Sequence, residues 1–568
     1  MRVKFKWIEE IKVKFVDVVK EYLFSIAIFL VATVLWTIQG DGISNSYIIK
    51  TIIPFLKLLL YGIVPGVLLC ETIYHYHGYF EKKKTIIYAV IIPVSVVITY
   101  YYAWVNVLLE SSLKENIENA ELLTETAFDI FVCYLVTAVG LSVYFIYKRS
   151  GECFETYVAK AFCGMMKALL VYGIIDLGIL LVLLIFDALI IETSSIDLIM
   201  RCEIMLVGLV AYPCSLMGIS KTENDFSKFS KIVLAYIFTG LLAIAFFIIY
   251  LYIFKIVFTW QFPKNQVFSI LTALFLFGIV IWTMASGCCQ ERFLKPIRIM
   301  PFLFIPFIVL QIMCLYMRVA DYGFTRSRYF GLAFIVFEIL YFAMYCIDFF
   351  SAEDITFSLI FIIIAMTFIV LVVPFTNYKS VVLMSQKHRL EKYFAAISKG
   401  EDFEKNVAFE AYKTIRWESG YVGNKYLEDN YSKEQLEELK NGSENEYDNK
   451  SDNFYIYAYR DVDSLDVEEY KEICFVDCFI SSDKTNQVQL ETTSGDYVGT
   501  ADLSEIIDKL VDLEEADIND DNRKREIISQ NVKVNPKGNF IITEVKVTGE
   551  FDAGTMINSI DIKGYVLR

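Results

Sequence analysis

Histidine is nearly absent from this sequence, with three copies in 568 residues. The sequence also lacks a Walker A loop, a dinucleotide-binding Gly-x-Gly-x-x-Gly turn, a His-Glu-x-x-His zinc site, a Gly-x-Ser-x-Gly nucleophile elbow and a Cys-x-x-Cys pair. These absences argue against histidine-based catalysis and against an ATP-driven pump on this chain alone. We therefore assign no catalytic, cofactor-binding or metal-binding residue, expect no cofactor, and favour a protein that is not an enzyme.

Charged residues are scarce over most of the chain, whereas apolar residues make up 56% of the sequence. Soluble domains are about 45–50% apolar, so this composition indicates that lipid is part of the solvent. The net charge of -15 arises in the last third, because residues 401–568 contain 38 acidic and 19 basic residues. Such an acidic surface argues against nucleic-acid binding and suits a soluble region that takes a protein partner.

Eleven segments are apolar over the roughly 20 residues that a helix needs to cross a hydrocarbon core. They predict an α-helical polytopic membrane bundle of ten or eleven transmembrane helices, with the lipid bilayer as a partner. The segments lie near residues 22–38, 51–73, 86–107, 127–147, 168–191, 197–219, 231–257, 266–287, 300–318, 329–350 and 355–374.

Lysine and arginine are concentrated in alternate loops, which predicts how the helices are oriented. Basic residues lie before the first segment and after the second, fourth, sixth and eighth, whereas the loop at 108–125 is acidic. Residues 1–21 form a basic amphipathic stretch that is too long and too charged for a cleavable signal peptide. We expect the N-terminus to be cytoplasmic.

The charge pattern breaks at the ninth segment, 300–318. If all eleven segments cross, the arginines that follow this segment face outward; if it does not cross, they face the cytoplasm. Pro301 and Pro306 make a re-entrant or broken helix conceivable. Charge counting therefore favours ten crossings and a cytoplasmic tail, whereas hydropathy favours eleven crossings and an external tail.

The chain changes character after residue 375. Residues 376–400 have apolar side chains at helical spacing and predict an amphipathic connecting helix. Residues 401–568 combine a charged helical start with strand-like runs, which predicts a small acidic soluble α+β domain. The predicted organisation is an N-terminal segment at 1–21, a transmembrane domain at 22–375, the connecting helix and the soluble domain.

Three stretches carry short motifs. They are a Trp-x-x-Pro turn at Trp260 and Pro263, the run YGFTRSRY at 322–329, and a Ser-Gln-x-x-Arg-Leu run at 385–390. Together they resemble a bacterial multi-pass membrane family catalogued as domain of unknown function 4153, from residue 20 to residue 390. Phe324 stands where that family has leucine. The resemblance implies a bacterial cytoplasmic membrane protein, and it carries over no catalytic residue because the family has no established activity.

The second of these turns contains candidate binding residues. Gly323 suits the left-handed position that ends a helix, and Thr325 suits the N-cap of the next one. Arg318, Arg326 and Arg328 flank the turn, and guanidinium groups match phosphate and carboxylate in geometry. The sequence favours a tight helix hairpin whose arginines anchor to lipid phosphates. The alternative is that the three arginines bind an anionic headgroup or substrate.

Two acidic residues, Asp176 and Glu338, lie deep within apolar segments. Ionisable groups in hydrocarbon are costly, so they usually face a bundle interior, a cavity or a partner. The pair is a candidate intramembrane polar site that lines a cation or proton path. Equally, each residue suits a buried hydrogen bond that holds two helices together.

Three functional hypotheses follow. A transporter- or permease-like protein predicts that Asp176 and Glu338 face one polar cavity. A membrane-anchored sensor or assembly scaffold predicts a tightly packed, cavity-free bundle and an exposed patch on the acidic C-terminal domain that recruits a protein. A lipid- or glycan-modifying transferase predicts Arg326 or Arg328 beside a carboxylate at a lipid-accessible cleft. The sequence alone does not separate the three.

Overall fold

A computed structural model gives the fold of most of the chain, which divides into two compact units, Met1–Leu436 and Glu437–Arg568. The predicted turn at Trp260 and Pro263 lies outside the described residues. The described residues are 6–38, 51–76, 83–109, 120–189, 195–222, 225–259, 266–351, 356–399, 405–440, 453–460, 470, 473–480, 488–492, 497–511, 521–530, 532–535, 538–550 and 556–568.

The described part of the first unit is built from helices. Two of its junctions are π-helical, Val207–Ala211 between α7 and α8 and Val233–Ile237 between α9 and α10, and a 3-10 turn, Met300–Phe304, joins α12 to α13. The helices are α1 Lys6–Glu21, α2 Leu23–Ile38, α3 Ile53–His75, α4 Lys84–Ala103, α5 Ala120–Ser150, α6 Phe154–Leu189, α7 Ser195–Leu206, α8 Tyr212–Ser220, α9 Lys228–Ile232, α10 Phe238–Thr259, α11 Gln266–Cys288, α12 Glu291–Ile299, α13 Ile305–Tyr322, α14 Arg326–Ser351, α15 Ser358–Leu371, α16 Tyr378–Lys399, α17 Lys405–Glu418, α18 Gly420–Asn430 and α19 Lys433–Lys440.

Among the described residues, nine helices are long and apolar enough to cross a membrane. A tenth is added if α1 and α2, which meet at an angle of 89°, count as one span. The apolar helix α15 is shorter, with 14 residues. These lengths and compositions confirm the predicted α-helical membrane bundle. The nine spans are Ile53–His75, Lys84–Val107, Ala120–Ser150, Phe154–Leu183, Ile199–Ser220, Lys228–Ile256, Val267–Cys288, Glu291–Ala320 and Arg326–Phe350.

A buried carboxylate fixes the bend between α1 and α2. Glu71, in α3, accepts hydrogen bonds from the backbone N–H groups of Phe24 at 2.7 Å and of Ser25 at 3.3 Å. The first N–H groups of a helix have no partner within it, and the helix dipole favours a negative charge there. Glu71 therefore caps the start of α2 from a neighbouring helix.

One group of polar contacts gathers helix ends around Glu21. Its carboxylate accepts two hydrogen bonds from Arg149, both at 3.0 Å, and one from Lys221 at 2.5 Å. The Nε2 atom of His75 lies 3.0 Å from the Glu21 carbonyl oxygen. Since these residues end α1, α3, α5 and α8, we call this part of the bundle the Glu21 end.

A second group gathers helix ends around Lys379. Its ammonium lies 2.9 Å from carboxylate oxygens of both Asp129 and Glu125 in the first turns of α5. Glu125 also accepts the backbone N–H of Tyr421, in α18, at 3.0 Å. We call this part of the bundle, where α5 begins and α16 starts, the Lys379 end.

The two ends are separated by the length of a membrane-spanning helix. Asp129 and Arg149 lie on the same helix, α5, one at each end of the bundle. Their separation of 20 positions corresponds to about 30 Å at 1.5 Å per residue, which is the thickness of a hydrocarbon core. The Glu21 end and the Lys379 end are therefore the two polar faces of the bundle.

Segment 300–318 lies within a stretch that is long and apolar enough to cross a membrane, as the crossing alternative predicts. Glu291–Ala320 is one of the nine long apolar helices. Pro301 and Pro306 lie at the first positions of the 3-10 turn and of α13. Proline is tolerated in a first helical turn because the N–H it lacks would have no partner there. The two prolines therefore lie at the 3-10 turn that joins α12 to α13 within this stretch.

The short helix α15 also connects the two faces. Phe357, just before α15, lies under the Lys148 ammonium, 4.0 Å from the ring centroid, beside Arg149 at the Glu21 end. Thr376, after α15, accepts a hydrogen bond from the Tyr329 hydroxyl near the start of α14. If α15 is counted as a crossing, the chain passes from the Glu21 end to the Lys379 end between the end of α14 and the start of α16.

The described part of the second unit is a seven-stranded antiparallel sheet with two helices. The hydrogen-bonded strand order is β2-β7-β6-β5-β4-β3, and β1 pairs with β6. This confirms the predicted small α+β region. Its elements are β1 Asn453–Tyr459, β2 Ile473–Ile480, β3 Val488–Glu491, β4 Tyr497–Ala501, α20 Ser504–Val511, α21 Asp521–Ile528, β5 Val532–Asn535, β6 Asn539–Glu550 and β7 Met556–Leu567.

A bulge in β6 keeps the core face of the sheet continuous. Phe540 and Ile542 are buried, and the register then shifts between Ile542 and Glu544. A bulge adds one residue to a strand, so alternation resumes with Val545 and Val547 on the buried face.

The first unit extends into the region at 401–568 that composition predicted as the soluble domain. Helices α17 and α18 lie in that region and belong to the first unit.

Candidate functional site

The turn between α13 and α14 has the local structure that its sequence predicts. Gly323 follows α13 with a φ of 70°, a backbone angle that residues with a side chain rarely adopt. Thr325 then caps α14, since its hydroxyl accepts the backbone N–H of Arg328 at 3.4 Å and its carbonyl accepts that of Tyr329 at 2.9 Å. A reversal this tight places the end of α13 beside the start of α14.

Helix α16 fastens this turn from outside. Ser385 accepts the backbone N–H of Phe324 at 2.9 Å. The buried Gln386 side chain donates to the carbonyl oxygens of Tyr322 at 3.1 Å and Phe324 at 2.7 Å. A Cβ atom at Gly323 would lie 2.9 Å from the Gln386 amide nitrogen, so glycine is needed for space as well as for its backbone. Two of the sequence motifs therefore form one structure.

Helix α17 contributes a third fastening. The Glu418 carboxylate accepts the backbone N–H of Arg326 at 2.5 Å, at the start of α14. This N–H has no partner within the helix, and a carboxylate is favoured at a helix N-terminus. The turn at 322–326 is thus held by residues from both α16 and α17.

Two of the three predicted arginines lie at one cavity. Arg318 and Arg328 line a cavity of about 600 Å³ between α11, α13 and α14. Arg328 also donates to the Gly323 carbonyl at 2.9 Å, and its guanidinium lies 5.3 Å from the centroid of the Tyr322 ring. Arg326 does not line this cavity; its guanidinium lies 5.3 Å from the Tyr378 ring centroid.

The remaining walls of this arginine cavity are hydroxyl-bearing near the turn and apolar elsewhere. Ser269, Thr272 and Ser327 contribute hydroxyl groups, and the described lining contains no acidic residue. Among the apolar lining residues, Leu276 is 48% exposed and Phe330 is 38% exposed, so the cavity adjoins the lipid-facing surface of the bundle. The cavity therefore combines two cations with an apolar wall.

The charges that act on Arg328 are mostly of its own sign. Arg318 and Arg389 repel it, and Glu418 attracts it. A cluster of guanidinium groups against apolar walls is destabilised by repulsion and desolvation unless an anion joins it. The arrangement is suited to a phosphate or carboxylate group.

The intramembrane carboxyl groups of Asp176 and Glu338 are not brought together. Glu338 is fully buried and accepts a hydrogen bond from the Gln311 amide at 3.2 Å, between α13 and α14. Asp176 is half-buried on α6, near Tyr172 of the same helix. Among the described residues, neither belongs to the lining of the arginine cavity or of three other cavities.

Sequence reasoning missed the ion pairs at the Lys379 end. Asp129 and Lys379 are each 8% exposed, yet 250 positions separate them in the chain. Burial alone would lower the pKa of the Lys379 ammonium, but hydrogen bonds to Asp129 and Glu125 outweigh it and raise the pKa above its usual range. The one available signal was an aspartate near the start of an apolar segment, which does not identify its partner.

The apolar helices and the two polar faces define a multi-pass membrane protein. Residues 145–397 match the family model named Domain of unknown function (DUF4153). The predicted resemblance is confirmed over these residues, which include the arginine turn and the run at 385–390, while the match begins later than the predicted residue 20. No curated protein and no solved structure matches the chain. The family description assigns no activity, so the geometry alone supports a function.

Proposed function

We propose that this protein is a membrane-anchored sensor that binds an anionic amphiphile in the arginine cavity. The observation that carries the proposal is the joint position of Arg318 and Arg328 on one cavity of about 600 Å³ beside the lipid-facing surface. Guanidinium groups bind phosphate and carboxylate through paired hydrogen bonds, and the apolar wall suits an acyl chain. A phospholipid or another lipid-linked anion has both parts.

The hydrogen bonds that hold the turn support a sensing role. The backbone that carries Arg328 is hydrogen-bonded to Ser385, Gln386 and Glu418, all in the helices that lead to the C-terminal region. An anion that draws the arginines together changes the position of the turn, and hence of α16 and α17. The acidic C-terminal region then reports this state to a protein partner.

The orientation follows from the loop charges. The basic residues of the alternate loops lie at the Glu21 end, and such residues favour the cytoplasmic side. We therefore propose a bacterial cytoplasmic membrane protein with a cytoplasmic N-terminus. The Lys379 end, with the arginine cavity and the chain that leads to residue 437, then faces away from the cytoplasm, in place of the cytoplasmic tail that charge counting favours.

The other two hypotheses have less support. A permease needs Asp176 and Glu338 on one path, and they lie in separate surroundings among the described residues. A transferase needs a carboxylate in the cleft, and Glu418 accepts a backbone N–H without lining the arginine cavity. The sensor requires neither arrangement, but the cavity-free bundle that the sequence analysis predicted for it is wrong, since the arginine cavity lies among the described helices.

Lipid binding by the full-length protein tests the proposal. Native mass spectrometry from a neutral detergent compares phosphatidylglycerol with phosphatidylcholine of the same acyl chains. We expect preference for the anionic lipid, and Arg318→Gln lowers its affinity about tenfold or more, because a hydrogen bond to a charged group contributes roughly 1.5–3 kcal/mol. Arg328→Lys, which keeps the charge but loses the fork, lowers it less.

Arg326→Gln is the matched control, since Arg326 lies in the same turn but does not line the cavity. The affinity of this variant for the anionic lipid stays within about twofold of that of the unmodified protein, because an exposed charge contributes little. Equal binding of the two lipids, or an Arg318→Gln protein that retains the full preference, contradicts the proposal.

A further inference from the structure

A cavity at the Glu21 end of the bundle contains a buried carboxylate. This Glu71 cavity has a volume of about 690 Å³ and is lined by residues of α1, α2, α3 and α4, among them Glu71, Tyr74 and Tyr88. Two of its apolar lining residues face outward, since Phe24 in α2 is 67% exposed and Ile92 in α4 is 40% exposed. The cavity therefore adjoins the lipid-facing surface, and a membrane lipid can reach it.

The Glu71 carboxylate has no cationic partner among the described residues. Glu71 is 8% exposed, and its two oxygens accept the backbone N–H groups of Phe24 and Ser25. An ionised carboxylate has about four acceptor positions, so these two N–H groups leave room for further donors. A buried carboxylate costs free energy unless it is paired, so a cation that donates hydrogen bonds is favoured at this position.

Two tyrosine rings lie close to this carboxylate. The Tyr88 hydroxyl donates to the carbonyl oxygen of Cys70 at 2.9 Å, which holds Tyr88 beside the residue that precedes Glu71. The ring centroids of Tyr74 and Tyr88 are 6.2 Å apart. The faces of aromatic rings attract cations, and the Lys84 ammonium lies 4.9 Å from the Tyr74 centroid. A carboxylate beside tyrosine rings is suited to an ammonium group.

Positive charge is found at the mouth of the Glu71 cavity. Lys20, at the end of α1, lines the cavity and is exposed, and Lys84 lies over a tyrosine ring of the lining. The other carboxylate of the described lining, that of Glu21, is already paired with two basic side chains. The cavity thus has a negative charge inside and positive charges at its mouth. A phosphoethanolamine group, with one ammonium and one phosphate, has the complementary charges.

We propose that the Glu71 cavity binds the headgroup of a phospholipid that carries a primary ammonium, such as phosphatidylethanolamine. The ammonium donates to Glu71 beside the tyrosine rings, the phosphate accepts from Lys20, and the acyl chains leave past Phe24 and Ile92. A free phosphoethanolamine ester presents the same headgroup without the chains. The site is independent of the sensor proposal because it shares no lining residue with the arginine cavity.

Native mass spectrometry of the full-length protein compares phosphatidylethanolamine with phosphatidylcholine of the same acyl chains. An Arg318→Gln background removes the contribution of the arginine cavity. We expect tighter binding of phosphatidylethanolamine, because the trimethylammonium of phosphatidylcholine has no N–H to donate. Glu71→Gln lowers the affinity for phosphatidylethanolamine about tenfold or more and removes this preference. Lys20→Gln lowers the affinity for both lipids, because both contain the phosphate.

Two further variants control for folding and for general charge effects. Lys12→Gln removes an exposed lysine of α1 that does not line the Glu71 cavity, and it leaves both affinities unchanged. Because Glu71 also caps α2, the melting temperature of Glu71→Gln shows whether that variant is folded. Ile92→Trp fills the mouth of the cavity without altering the carboxylate, and it removes the preference for phosphatidylethanolamine even if Glu71→Gln does not fold.

A soluble probe, glycerophosphoethanolamine, distinguishes the two sources of the headgroup. Lipid binding that requires Glu71 and is not displaced by this probe identifies a membrane lipid as the ligand. Binding of the probe itself with the same Glu71 dependence identifies free phosphoethanolamine esters. Equal binding of the two lipids, or a folded Glu71→Gln protein that retains the full preference, overturns the proposal.

Discussion

Glu338 and Gln311 form a polar pair inside an apolar core cluster that includes Phe275, Trp282 and Tyr341. Both members of the pair are fully buried. A carboxylate in such surroundings needs a cation, whereas a neutral carboxyl or amide group needs only a hydrogen bond. The described contacts supply one hydrogen bond, and Glu338 Oε2 and Gln311 Oε1 have no hydrogen-bond partner among the described residues. We interpret the pair as a link between α13 and α14.

Substitution of Glu338 separates this link from a proton or cation path. Glu338→Gln keeps an acceptor for Gln311, so we expect thermal unfolding in detergent close to that of the unmodified protein. Glu338→Ala leaves the Gln311 amide without its acceptor and costs about 1–3 kcal/mol more. If Glu338→Gln destabilises as much as Glu338→Ala, the interpretation as a structural hydrogen bond fails.

Individual residues were predictable from sequence only where the signal is local. The arginines beside a Gly-x-Thr turn were identifiable, and two of them share a cavity. The Gln311 partner of Glu338 was not identifiable, because an amide in an apolar helix gives no pattern of its own. The pairing of Lys379 with Asp129 joins positions 250 apart, which no local spacing encodes.

The contact between α6 and α8 depends on a pair of glycines. Gly164 and Gly218 allow backbone contact, as small residues do where membrane helices cross closely. The same helix contains Gly173, which has open space around its Cβ position. One helix therefore offers a test site and a matched control.

We expect Gly164→Ala to destabilise the bundle by about 1–3 kcal/mol, because the new methyl group meets the Gly218 backbone and forces the helices apart. Gly173→Ala is neutral, or stabilises by about 0.5–1 kcal/mol through helix propensity. Thermal unfolding of both variants in one detergent measures the difference. Equal stability of the two variants would show that α6 and α8 do not pack at Gly164.

The positions of helices were largely predictable, and their junctions were not. Long apolar runs give the spans because each backbone amide must be paired within lipid. Pro301 and Pro306 suggested a break, yet they occupy first helical turns. The sharp bend before α2 depends on Glu71 in another helix, which a reading along one segment does not find.

The bundle as an assembly has two polar faces, and the arginine cavity lies at the Lys379 end. The alternation of basic loops predicted that the basic ends of α1, α5 and α8 lie on one face. Ion pairs at the Glu21 end join these three helices. The opposite face was ambiguous because its arginines and lysines follow late segments, where charge counting and hydropathy disagree.

Accessibility of single cysteines tests whether the two faces lie on opposite sides of the membrane. In a cysteine-depleted full-length protein, Asp429→Cys places an exposed thiol on α18 near the Lys379 end, and Lys228→Cys places one on α9 near the Glu21 end. A membrane-impermeant maleimide is applied to intact cells and again after lysis. We expect labelling at position 429 before lysis and at position 228 only after it. Protection of both positions until lysis would contradict the account, because it would place both ends of the bundle in the cytoplasm.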